Sequence, residues 1–525
     1  MKVLVCDPIS QTGIDFLKQQ EGLEVSVLDR CHSEKELLPL VGDVSAMAVR
    51  SETKVTKALL EAAPDMKIVG RAGVGVDNID IEAATQNGVI VMNTPGVNTV
   101  AAAEHTIALM LSLVRNVHRG HSSLIAGQWD RNELVGSELR GKTLGVIGLG
   151  KVGSEVIKRL HGFGMDVIGY DPYIKAENYE FDYVEFCDVD RLFRESDIIS
   201  LHVPLVDSTK DLVDLERLKS MKPSSFLINC ARGGVVNEQD LAVALEQGIL
   251  AGAAVDVFES EPALDTPLAS APNILLTPHL GASTQEAKEG VSRAVCEQVR
   301  DFLIDGKLEN ALNIPISDLS LLRSLEPHLD FATKIGEFHQ QLSSSPADRI
   351  HVETRGTLTE VKLVTIAFLK GFLGTVHGSS INFVNALAVA QQNGIEIEEA
   401  YHHGKEDYAN LISTTVTFDG ESRTIRGSLF SDKHPRIVYY DGFHFDLNPT
   451  GTLLIVENED VPGVVGKMGT YLGKIGANIA GYQLSRKAEH HYAMGIIRLD
   501  SAISDDDLKE LTDIKEIISI RQIVL

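Results

Sequence analysis

Five short apolar runs recur in the first 97 residues of the chain, and helix-like stretches such as Thr56–Ala63 lie between them. The runs are Val3–Cys6, Val25–Leu28, Ala46–Val49, Ile68–Val69 and Val89–Met92. Repeated β-α units of this kind predict a parallel sheet with helices on both faces.

A second β-α series begins at Thr143, after a long apolar helix that the pattern predicts over Thr99–Val114. Its predicted strands are Thr143–Ile147, Asp166–Tyr170, Ile198–His202, Phe226–Asn229, Ala253–Val257 and Ile274–Leu276. This alternation is a complete doubly wound nucleotide-binding pattern. We therefore expect an α/β protein with two doubly wound parallel-sheet domains, the second of Rossmann type.

The pattern changes after a predicted helix over Gln285–Ile304. Residues 307–316 have the composition of a linker, and residues 317–447 mix helical and alternating strand patterns. The last segment, 449–525, alternates in the order βαββαβ, with predicted elements Gly451–Glu457, Gly463–Ile475, Asn478–Leu484, His491–Arg498, Asp505–Leu511 and Ile517–Ile523. That order predicts a ferredoxin-like domain after an α+β intervening domain.

Length and charge exclude several classes of protein. A chain of 525 residues is too long for one hydrophobic core, so several domains are expected. Its formal net charge of −26 disfavours nucleic acid and anionic lipid as partners. An anionic substrate would therefore need a local cluster of arginines.

Cysteine usage and hydropathy point to a cytoplasmic protein. The five cysteines are widely spaced without a C-x-x-C pair, so neither a disulfide scaffold nor a metal site is expected. The first residues lack the apolar stretch of a signal peptide, and no apolar window is long enough to span a membrane.

A glycine-rich loop follows the predicted strand Thr143–Ile147. Gly148, Gly150 and Gly153 form a G-x-G-x-x-G pattern at the start of a helix. We expect Gly148 to allow the turn, Gly150 to admit a pyrophosphate, and Gly153 to let the helix pack on the strand. The phosphates would then lie at the helix N-terminus, where free N–H groups favour negative charge.

Asp171 ends the next strand, 18 residues after Gly153. An acid there binds the hydroxyls of the adenosine ribose and repels a 2′-phosphate, so the pattern favours NAD over NADP. An alternative stays open, because Asp171 can also serve only as a turn residue at the end of its strand.

Three polar segments follow three further strands of the same sheet and contain Arg232, Glu261 and His279. The carboxyl ends of parallel strands meet beside the nucleotide crevice, so these side chains should converge there. His279 can take a hydroxyl proton as general base, and Glu261 can orient its ring. Arg232 can bind a carboxylate with two hydrogen bonds. Taken singly, Glu261 is also explained as a surface acid and His279 as an ordinary loop histidine.

The ordered segments VIGLGKVG, NCARGGVVNE, AAVDVFESEP and TPHLGAST resemble the D-2-hydroxyacid dehydrogenase family over residues 1–310. The resemblance implies Arg232, Glu261 and His279 as catalytic residues and Asp256 as the partner of the nicotinamide carboxamide. It also implies NAD as the cofactor and a homo-oligomer, dimer or tetramer. The NAD-binding residues expected are Gly148, Gly150, Lys151, Val152, Gly153, Asp171, His202, Pro204, Thr209, Cys230, Ala231, Arg232, Asp256 and His279.

The resemblance further implies four domains, the first of them split. Residues 1–97 and 283–310 would bind substrate, and residues 98–282 would bind NAD. Residues 311–448 would form the intervening domain, and residues 449–525 a regulatory domain.

Segments around Arg50, Arg71 and Asn98 resemble the branch of the family that acts on 3-phosphoglycerate. The resemblance implies oxidation to 3-phosphohydroxypyruvate, the entry step of serine synthesis. Arg50, Arg71 and Arg131 are candidates for the phosphate, and Gly73 and Gly75 offer backbone N–H groups to the carboxylate. Any single arginine is otherwise a solvated surface charge. The alternatives are another reductase of the family, for hydroxypyruvate or glyoxylate, and a non-catalytic NAD sensor.

Residues 449–525 resemble an ACT domain, which binds small molecules and commonly pairs between subunits. The resemblance implies L-serine as effector, with Asn458, Asp460 and Asn478 as ligands. Asn458 and Asn478 are expected to lie near the ends of adjacent strand segments. One version of the family site has a histidine at Asn458 and an asparagine at Asp460. A purely structural domain is the alternative.

Overall fold

A computed structural model describes residues 1–314, 319–343, 345–377, 380–404, 408–431, 433–486 and 491–525. Four sheets organise these residues. The two parallel sheets come first along the chain and carry the residues predicted to bind cofactor and substrate, and the two C-terminal sheets follow.

The first sheet is parallel, with strand order β2-β1-β3-β4-β5. Its strands and helices are β1 Lys2–Val5, α1 Gln11–Lys18, β2 Glu24–Val27, α2 Glu34–Leu37, β3 Ala46–Val49, α3 Lys57–Glu61, β4 Ile68–Arg71, α4 Ile81–Gln86 and β5 Ile90–Met92. The predicted apolar runs are confirmed as strands, because both faces of the sheet are covered by helices and favour apolar residues.

The second sheet is also parallel, with strand order β12-β11-β10-β9-β6-β7-β8. Its elements are α5 Thr99–Val114, α6 Val117–Ile125, β6 Thr143–Ile147, α7 Lys151–His161, β7 Asp166–Tyr170, β8 Val184–Phe186, α8 Val189–Glu195, β9 Ile198–Leu201, α9 Leu215–Ser220, β10 Phe226–Asn229, α10 Glu238–Glu246, β11 Gly252–Val255 and β12 Ile274–Leu276. Short 3-10 turns cover Leu38–Leu40, Ala176–Asn178 and Pro267–Ser270. The sequence pattern missed β8, which has three residues with a glutamate at its centre.

Helix α11, Gln285–Asp305, returns the chain to the first sheet. The hydroxyl of Thr284 accepts a hydrogen bond from Ala287 N at its start, and Gly306 ends it in the left-handed conformation. Apolar residues of α11, including Val295 and Val299, lie in the same core as those of β1.

The segment after α11 is not the free linker that its composition suggested. Ala311 forms an antiparallel bridge with Met92, and the backbone N–H of Leu312 donates to the carbonyl of Val91 at 2.9 Å. Asn313 accepts a hydrogen bond from Val91 N. The linker prediction was wrong for these residues because the open edge of β5 offers them backbone partners. Residues 315 and 316 of the predicted linker lie outside the described residues.

The third sheet has six strands in the order β14-β13-β15-β16-β17-β18, and only β13 and β14 are parallel. Its elements are α12 Leu319–Gln340, β13 Ala347–Gly356, α13 Val361–His377, α14 Ala386–Gln392, β14 Glu396–His402, β15 Asn410–Phe418, β16 Glu421–Phe430, β17 His434–Tyr440 and β18 Phe443–Leu447. This confirms the mixed α+β character predicted for the intervening segment.

The fourth sheet confirms the predicted βαββαβ order. Its elements are β19 Thr452–Glu459, α15 Val464–Lys474, β20 Ile479–Arg486, β21 Tyr492–Leu499, α16 Asp505–Thr512 and β22 Ile517–Val524. The strand order is β20-β21-β19-β22. Leu453 and Ile455 share one core with the third sheet, whereas Leu454 and Val456 pack with the helices on the other face. Because the third and fourth sheets share this core, the packing does not show where one domain ends and the next begins. The predicted limits of the four domains therefore stay predictions.

Candidate active site

The glycine loop between β6 and α7 has the geometry of a phosphate cradle. Gly148 has φ +95°, and a Cβ there would lie 2.4 Å from the carbonyl oxygen of His202. A Cβ at Gly153 would lie 2.1 Å from Gly148 O, so the helix can approach its strand only with glycine at that position. Gly150 caps α7 and faces open space. The N-terminal N–H groups of α7 are therefore accessible to an anion.

Asp171 follows β7 beside this loop. One carboxylate oxygen accepts a hydrogen bond from Leu149 N at 3.0 Å, which ties the acid to the glycine loop. The other accepts from Tyr173 N and Ile174 N. The side chain of Asp171 therefore holds the turn after β7 and also contacts the glycine loop.

Arg232, Glu261 and His279 converge although they follow three different strands. His279 Nδ1 lies 2.8 Å from Glu261 Oε2, and Oε1 of the same carboxylate accepts from Phe258 N. Arg232 donates from Nη1 to Ala231 O and has its Nε 3.9 Å from Asp77 Oδ2. All three predicted catalytic residues line one cavity of about 520 Å³, which we call the arginine cavity.

A smaller cavity of about 260 Å³, the inner cavity, adjoins the arginine cavity. The residues that line both are Val74, Asn98, Arg232, His279 and Ala282. A molecule in one cavity would therefore meet a molecule in the other at His279 and Arg232.

The inner cavity contains most of the predicted cofactor residues. Those lining it are Val152, His202, Pro204, Cys230, Ala231, Arg232, Asp256 and His279. Burial lowers the pKa of His202 to about 4 and raises the pKa of the Cys230 thiol to about 12. Both side chains are therefore neutral near pH 7, which suits a wall facing an aromatic ring.

Six predicted cofactor residues do not line the inner cavity: Gly148, Gly150, Gly153 and Asp171 at the glycine loop, and Lys151 and Thr209. Lys151 lines a separate open groove of about 910 Å³ together with Gly150 and Gly96. Thr209 is occupied by its own loop: its hydroxyl donates to Pro204 O and accepts from Val206 N.

Asp256 is fully buried and holds the loop that carries His279. Oδ1 accepts hydrogen bonds from Thr277 Oγ1 at 2.6 Å and Leu280 N at 2.8 Å, and Oδ2 accepts from Gly281 N at 2.9 Å. Burial opposes ionisation, but hydrogen bonds led by that from His105 lower the pKa of Asp256. Oδ2 accepts only that one bond within the described part of the chain, so it retains capacity for an amide N–H.

The arginine cavity is mainly cationic. Arg50, Arg71 and Arg232 line it with Lys288, against the acids Glu52, Asp77 and Glu261. Burial, together with the neighbouring charge of Arg232, lowers the pKa of Arg71 to about 10. Arg71 Nε is buried and has no hydrogen-bond partner among the described residues. This is the local cluster that an anionic ligand requires.

Gly73 and Gly75 differ in what they offer to a ligand. The N–H of Gly73 donates to Thr94 Oγ1 at 2.8 Å, so the prediction that it is open was wrong. A Cβ at Gly73 would lie 1.8 Å from Arg71 Nη1, and this glycine thus makes room for the guanidinium. Gly75 N–H has no acceptor in the residues described, and Asn98 lies opposite in the same cavity.

Gly233, next to Arg232, lies against the backbone of a neighbouring loop. A Cβ at Gly233 would meet the carbonyl oxygen of Phe258 at 1.8 Å. The space is taken by the backbone of the neighbouring loop.

Arg131 does not join the arginine cavity. It lies in an exposed turn after α6, beside Trp129, whose side chain is 80% exposed. The expectation of a third phosphate ligand is therefore not met within one copy of the chain.

Several cavity residues were missed by the sequence analysis. Lys288 comes from the first turn of α11, and Asp77 and Asn78 come from the loop after β4. Asn78 donates from Nδ2 to the carbonyls of Arg50 and Thr53, which fixes the Arg50 loop. The only signal in the sequence was that these residues adjoin motifs already identified.

The predicted effector residues are separated within one chain. Asn458 is buried, and its Oδ1 has no partner among the residues described. Asp460 forms an ion pair with Arg486 at 3.2 Å. Asn478 bonds to Asp500 at the other end of the sheet. The expectation of adjacent strand segments was wrong, because β21 lies between β19 and β20.

Comparison with known families agrees with this geometry. Residues 107–281 match the NAD binding domain of D-isomer specific 2-hydroxyacid dehydrogenases. Residues 324–440 match the D-3-phosphoglycerate dehydrogenase intervening domain. The two matches cover the second sheet and the third sheet as far as β17.

Curated relatives extend the similarity over the whole chain. A D-3-phosphoglycerate dehydrogenase from Bacillus subtilis is 39% identical over 100% of this chain and 99% of its own length. One from Methanocaldococcus jannaschii is 39% identical over 98% of this chain and 99% of its own. Among solved structures, NAD-dependent formate dehydrogenase from Staphylococcus aureus in complex with NAD is 29% identical, with a TM-score of 0.55 over 61% of this chain and 100% of that chain.

Proposed function

The chain belongs to the D-2-hydroxyacid dehydrogenase family, and within it to the D-3-phosphoglycerate dehydrogenases, and we propose that it oxidises 3-phospho-D-glycerate to 3-phosphohydroxypyruvate with NAD. This reaction is the first step of L-serine biosynthesis. The product retains the phosphate and the carboxylate, and only the C2 hydroxyl group changes.

The observation that carries the proposal is the His279–Glu261 pair facing Arg232 where the two cavities meet. One cavity has more cationic than acidic side chains and suits a small anion. The other is lined mostly by uncharged side chains and adjoins the glycine loop. Substrate and cofactor would therefore contact each other beside a base and a guanidinium.

The residues of the inner cavity fit a nicotinamide. Val152, Cys230 and Ala231 provide uncharged walls, and Oδ2 of Asp256 has capacity for a carboxamide N–H. The open face of Gly150 and the N-terminus of α7 suit the pyrophosphate. When bound, NAD accepts the hydride that leaves C2 of the substrate.

His279 is proposed to remove the proton of the C2 hydroxyl. The Glu261 carboxylate only accepts hydrogen bonds when ionised, so Nδ1 carries the proton of the neutral ring and Nε2 has the free lone pair. As the imidazolium forms, the adjacent carboxylate stabilises its charge.

We propose that different cationic residues bind the carboxylate and the phosphate of the substrate. Arg232 lies beside His279 and suits the carboxylate and the developing carbonyl. Arg50 and Arg71 lie only in the arginine cavity and suit the phosphate. Gly75 N–H and Asn98 can complete the carboxylate site.

We further propose a homo-oligomer that responds to L-serine through the fourth sheet. Asn458 and Asn478 lie at opposite ends of the sheet: along β21 they are level with Ala493 and Asp500, seven residues or roughly 23 Å apart at about 3.3 Å per residue. An effector site containing both would need a second copy of the chain. The proposed division into 1–97 with 283–310, 98–282, 311–448 and 449–525 rests on the same family resemblance.

The test is a direct assay of the full-length chain with NAD and NADP and a panel of 2-hydroxy acids. We expect NAD-dependent oxidation of 3-phosphoglycerate to exceed that of glycerate, lactate and glycolate. Preference for an unphosphorylated acid would indicate another reductase of the family. NAD binding without turnover of any acid would indicate a sensor.

A further inference from the structure

His105 lies on α5, far from every catalytic motif in sequence, yet it contacts the loop that carries His279. Its Nε2 is 3.1 Å from Asp256 Oδ1 and 3.3 Å from Thr277 Oγ1. The side chain is only 17% exposed. No sequence pattern singled this histidine out, because it sits within an otherwise apolar helix.

The direction of these hydrogen bonds follows from Asp256. Its pKa is lowered by its hydrogen bonds, so the carboxylate is ionised near pH 7 and only accepts. Thr277 therefore donates its hydroxyl proton to Oδ1, at 2.6 Å. The Nε2 of His105 must then carry a proton and donate, since both atoms near it are acceptors.

The residue that this cluster supports is held in an unusual conformation. His279 has φ +54°, in the left-handed region that non-glycine residues seldom adopt. Asp256 accepts three backbone hydrogen bonds from this segment. Its carbonyl oxygen accepts from His279 N, and its carboxylate accepts from Leu280 N and Gly281 N. Such conformations persist where the surroundings over-determine them.

We propose that His105 is a positioning residue for the dehydrogenase reaction: it fixes Asp256 and Thr277, and through them it holds the loop Thr277–Gly281 so that His279 faces the substrate. The inference rests on the proposed function, with His279 as the base. It also connects the loop to α5, whose first flanking residue, Asn98, lines both cavities.

A positioning role differs measurably from simple packing. Loss of packing alone would lower thermal stability and leave turnover per folded molecule unchanged. Loss of positioning would lower kcat, because displacement of a reacting group by about 1 Å can cost up to about 100-fold in rate. The KM for phosphoglycerate would change little, since Arg50 and Arg71 come from the first sheet.

The experiment compares His105→Leu, His105→Gln and the control His121→Leu in the full-length enzyme. His121 is exposed on the neighbouring helix α6. We expect His105→Leu to lower kcat by about 10-fold or more while the KM for 3-phosphoglycerate stays within about 2-fold. The amide of His105→Gln can still donate, so this variant should recover most of the loss. His121→Leu should match wild type.

A second measurement keeps the test decisive if His105→Leu fails to fold. Thr277→Val removes one of the two groups that His105 contacts, and it should itself lower kcat while the KM for 3-phosphoglycerate stays within about 2-fold; unchanged kcat in this variant would overturn the inference. Wild-type kcat in His105→Leu, or equal loss in the Leu and Gln variants, would overturn the inference. An inactive wild type with an intact fold would instead contradict the proposed function.

Discussion

The Nδ1 atom of His279 lies 2.8 Å from Oε2 of Glu261, although the two residues belong to different loops. The contact fixes the ring through Nδ1 and leaves Nε2 without a hydrogen-bond partner among the described residues. Both side chains are partly exposed, so the pair is reachable from the cavity.

Removal of the base should therefore act on turnover. We expect His279→Ala to lower kcat by on the order of 10²–10⁴, because proton transfer from the C2 hydroxyl is lost. Glu261→Gln should lower kcat less, since an amide oxygen can still accept from Nδ1–H. Steady-state kinetics with saturating NAD measures both. A fully active His279→Ala variant would refute the assignment.

Cofactor preference should depend on Asp171. Its carboxylate beside Leu149 N disfavours the 2′-phosphate of NADP. We expect Asp171→Ala to raise the KM for NAD and to reduce the NAD-to-NADP ratio of kcat/KM. Because the same side chain holds the turn at Tyr173 and Ile174, thermal stability is measured in parallel. Equal use of both cofactors by the wild type would contradict the prediction.

Phosphate recognition should separate Arg50 and Arg71 from Arg131. Loss of one charge-assisted contact costs about 1.5–3 kcal/mol, so Arg50→Ala should raise the KM for 3-phosphoglycerate about 10- to 100-fold. Activity toward an unphosphorylated hydroxy acid should change less. Arg131→Ala is the matched control, because Arg131 lies outside the arginine cavity in one chain. An equal effect of Arg131→Ala would mean that a second copy supplies it.

The convergence of the three candidate catalytic segments could be predicted because each follows a strand of a parallel sheet, where topology alone brings the loops together. Arg232, Glu261 and His279 needed no further information to be placed at one edge. His105 could not be found in this way: it is 151 positions from Asp256 and lies on a helix, where hydrophobic periodicity marks every inward position as core.

The errors have similar physical origins. Gly73 was expected to offer a free N–H group, but the hydroxyl of Thr94, in the loop after β5, accepts its hydrogen bond. Asn458 and Asn478 looked like neighbours because β19 and β20 are consecutive in sequence, whereas the ferredoxin-like topology inserts β21 between them. Local pattern predicts elements, but the order of strands decides which residues meet.

Acidification should destabilise the third sheet through His339. Burial lowers the pKa of His339 to about 3 from its ordinary 6.5, and Nε2 bonds to Thr414 Oγ1 at 2.9 Å. The folded state binds the proton less readily than the unfolded state, so the stability is present above pH 6.5 and is lost as pH falls toward 3. Between pH 7 and 5 this amounts to about 2 kcal/mol.

Denaturant unfolding at pH 7 and pH 5 measures that loss. His339→Gln can keep the bond to Thr414 without a titrating ring, so its stability should depend less on pH than that of the wild type. His434→Gln is the control, since His434 is exposed on β17. An unchanged pH dependence in His339→Gln would show that other groups cause the acid sensitivity.

Control by L-serine is the remaining prediction, and Asp460 is the residue that tests it. Asp460 lies between Asn458 and the turn at Gly463, where α15 begins and its free N–H groups can receive a carboxylate. Its own carboxylate now pairs with Arg486 at 3.2 Å. An amino group arriving at Asp460 would compete with that guanidinium, so we expect binding in the fourth sheet to be weaker than a preformed site would give.

Calorimetry with L-serine on the full-length enzyme measures this directly. We expect wild type to bind L-serine and to be inhibited by it. Asp460→Ala should lose both while retaining kcat, since none of the described residues that line the arginine cavity or the inner cavity lies in the fourth sheet. Asn478→Ala should also lose binding and inhibition only if two chains build the site, because Asn478 and Asp460 lie at opposite ends of the sheet in one chain. Binding that survives Asn478→Ala but not Asp460→Ala would therefore exclude Asn478 from the effector site. Absence of heat and of inhibition at millimolar serine would leave the domain with a purely structural role, while the dehydrogenase assignment would stand on His279 and Arg232.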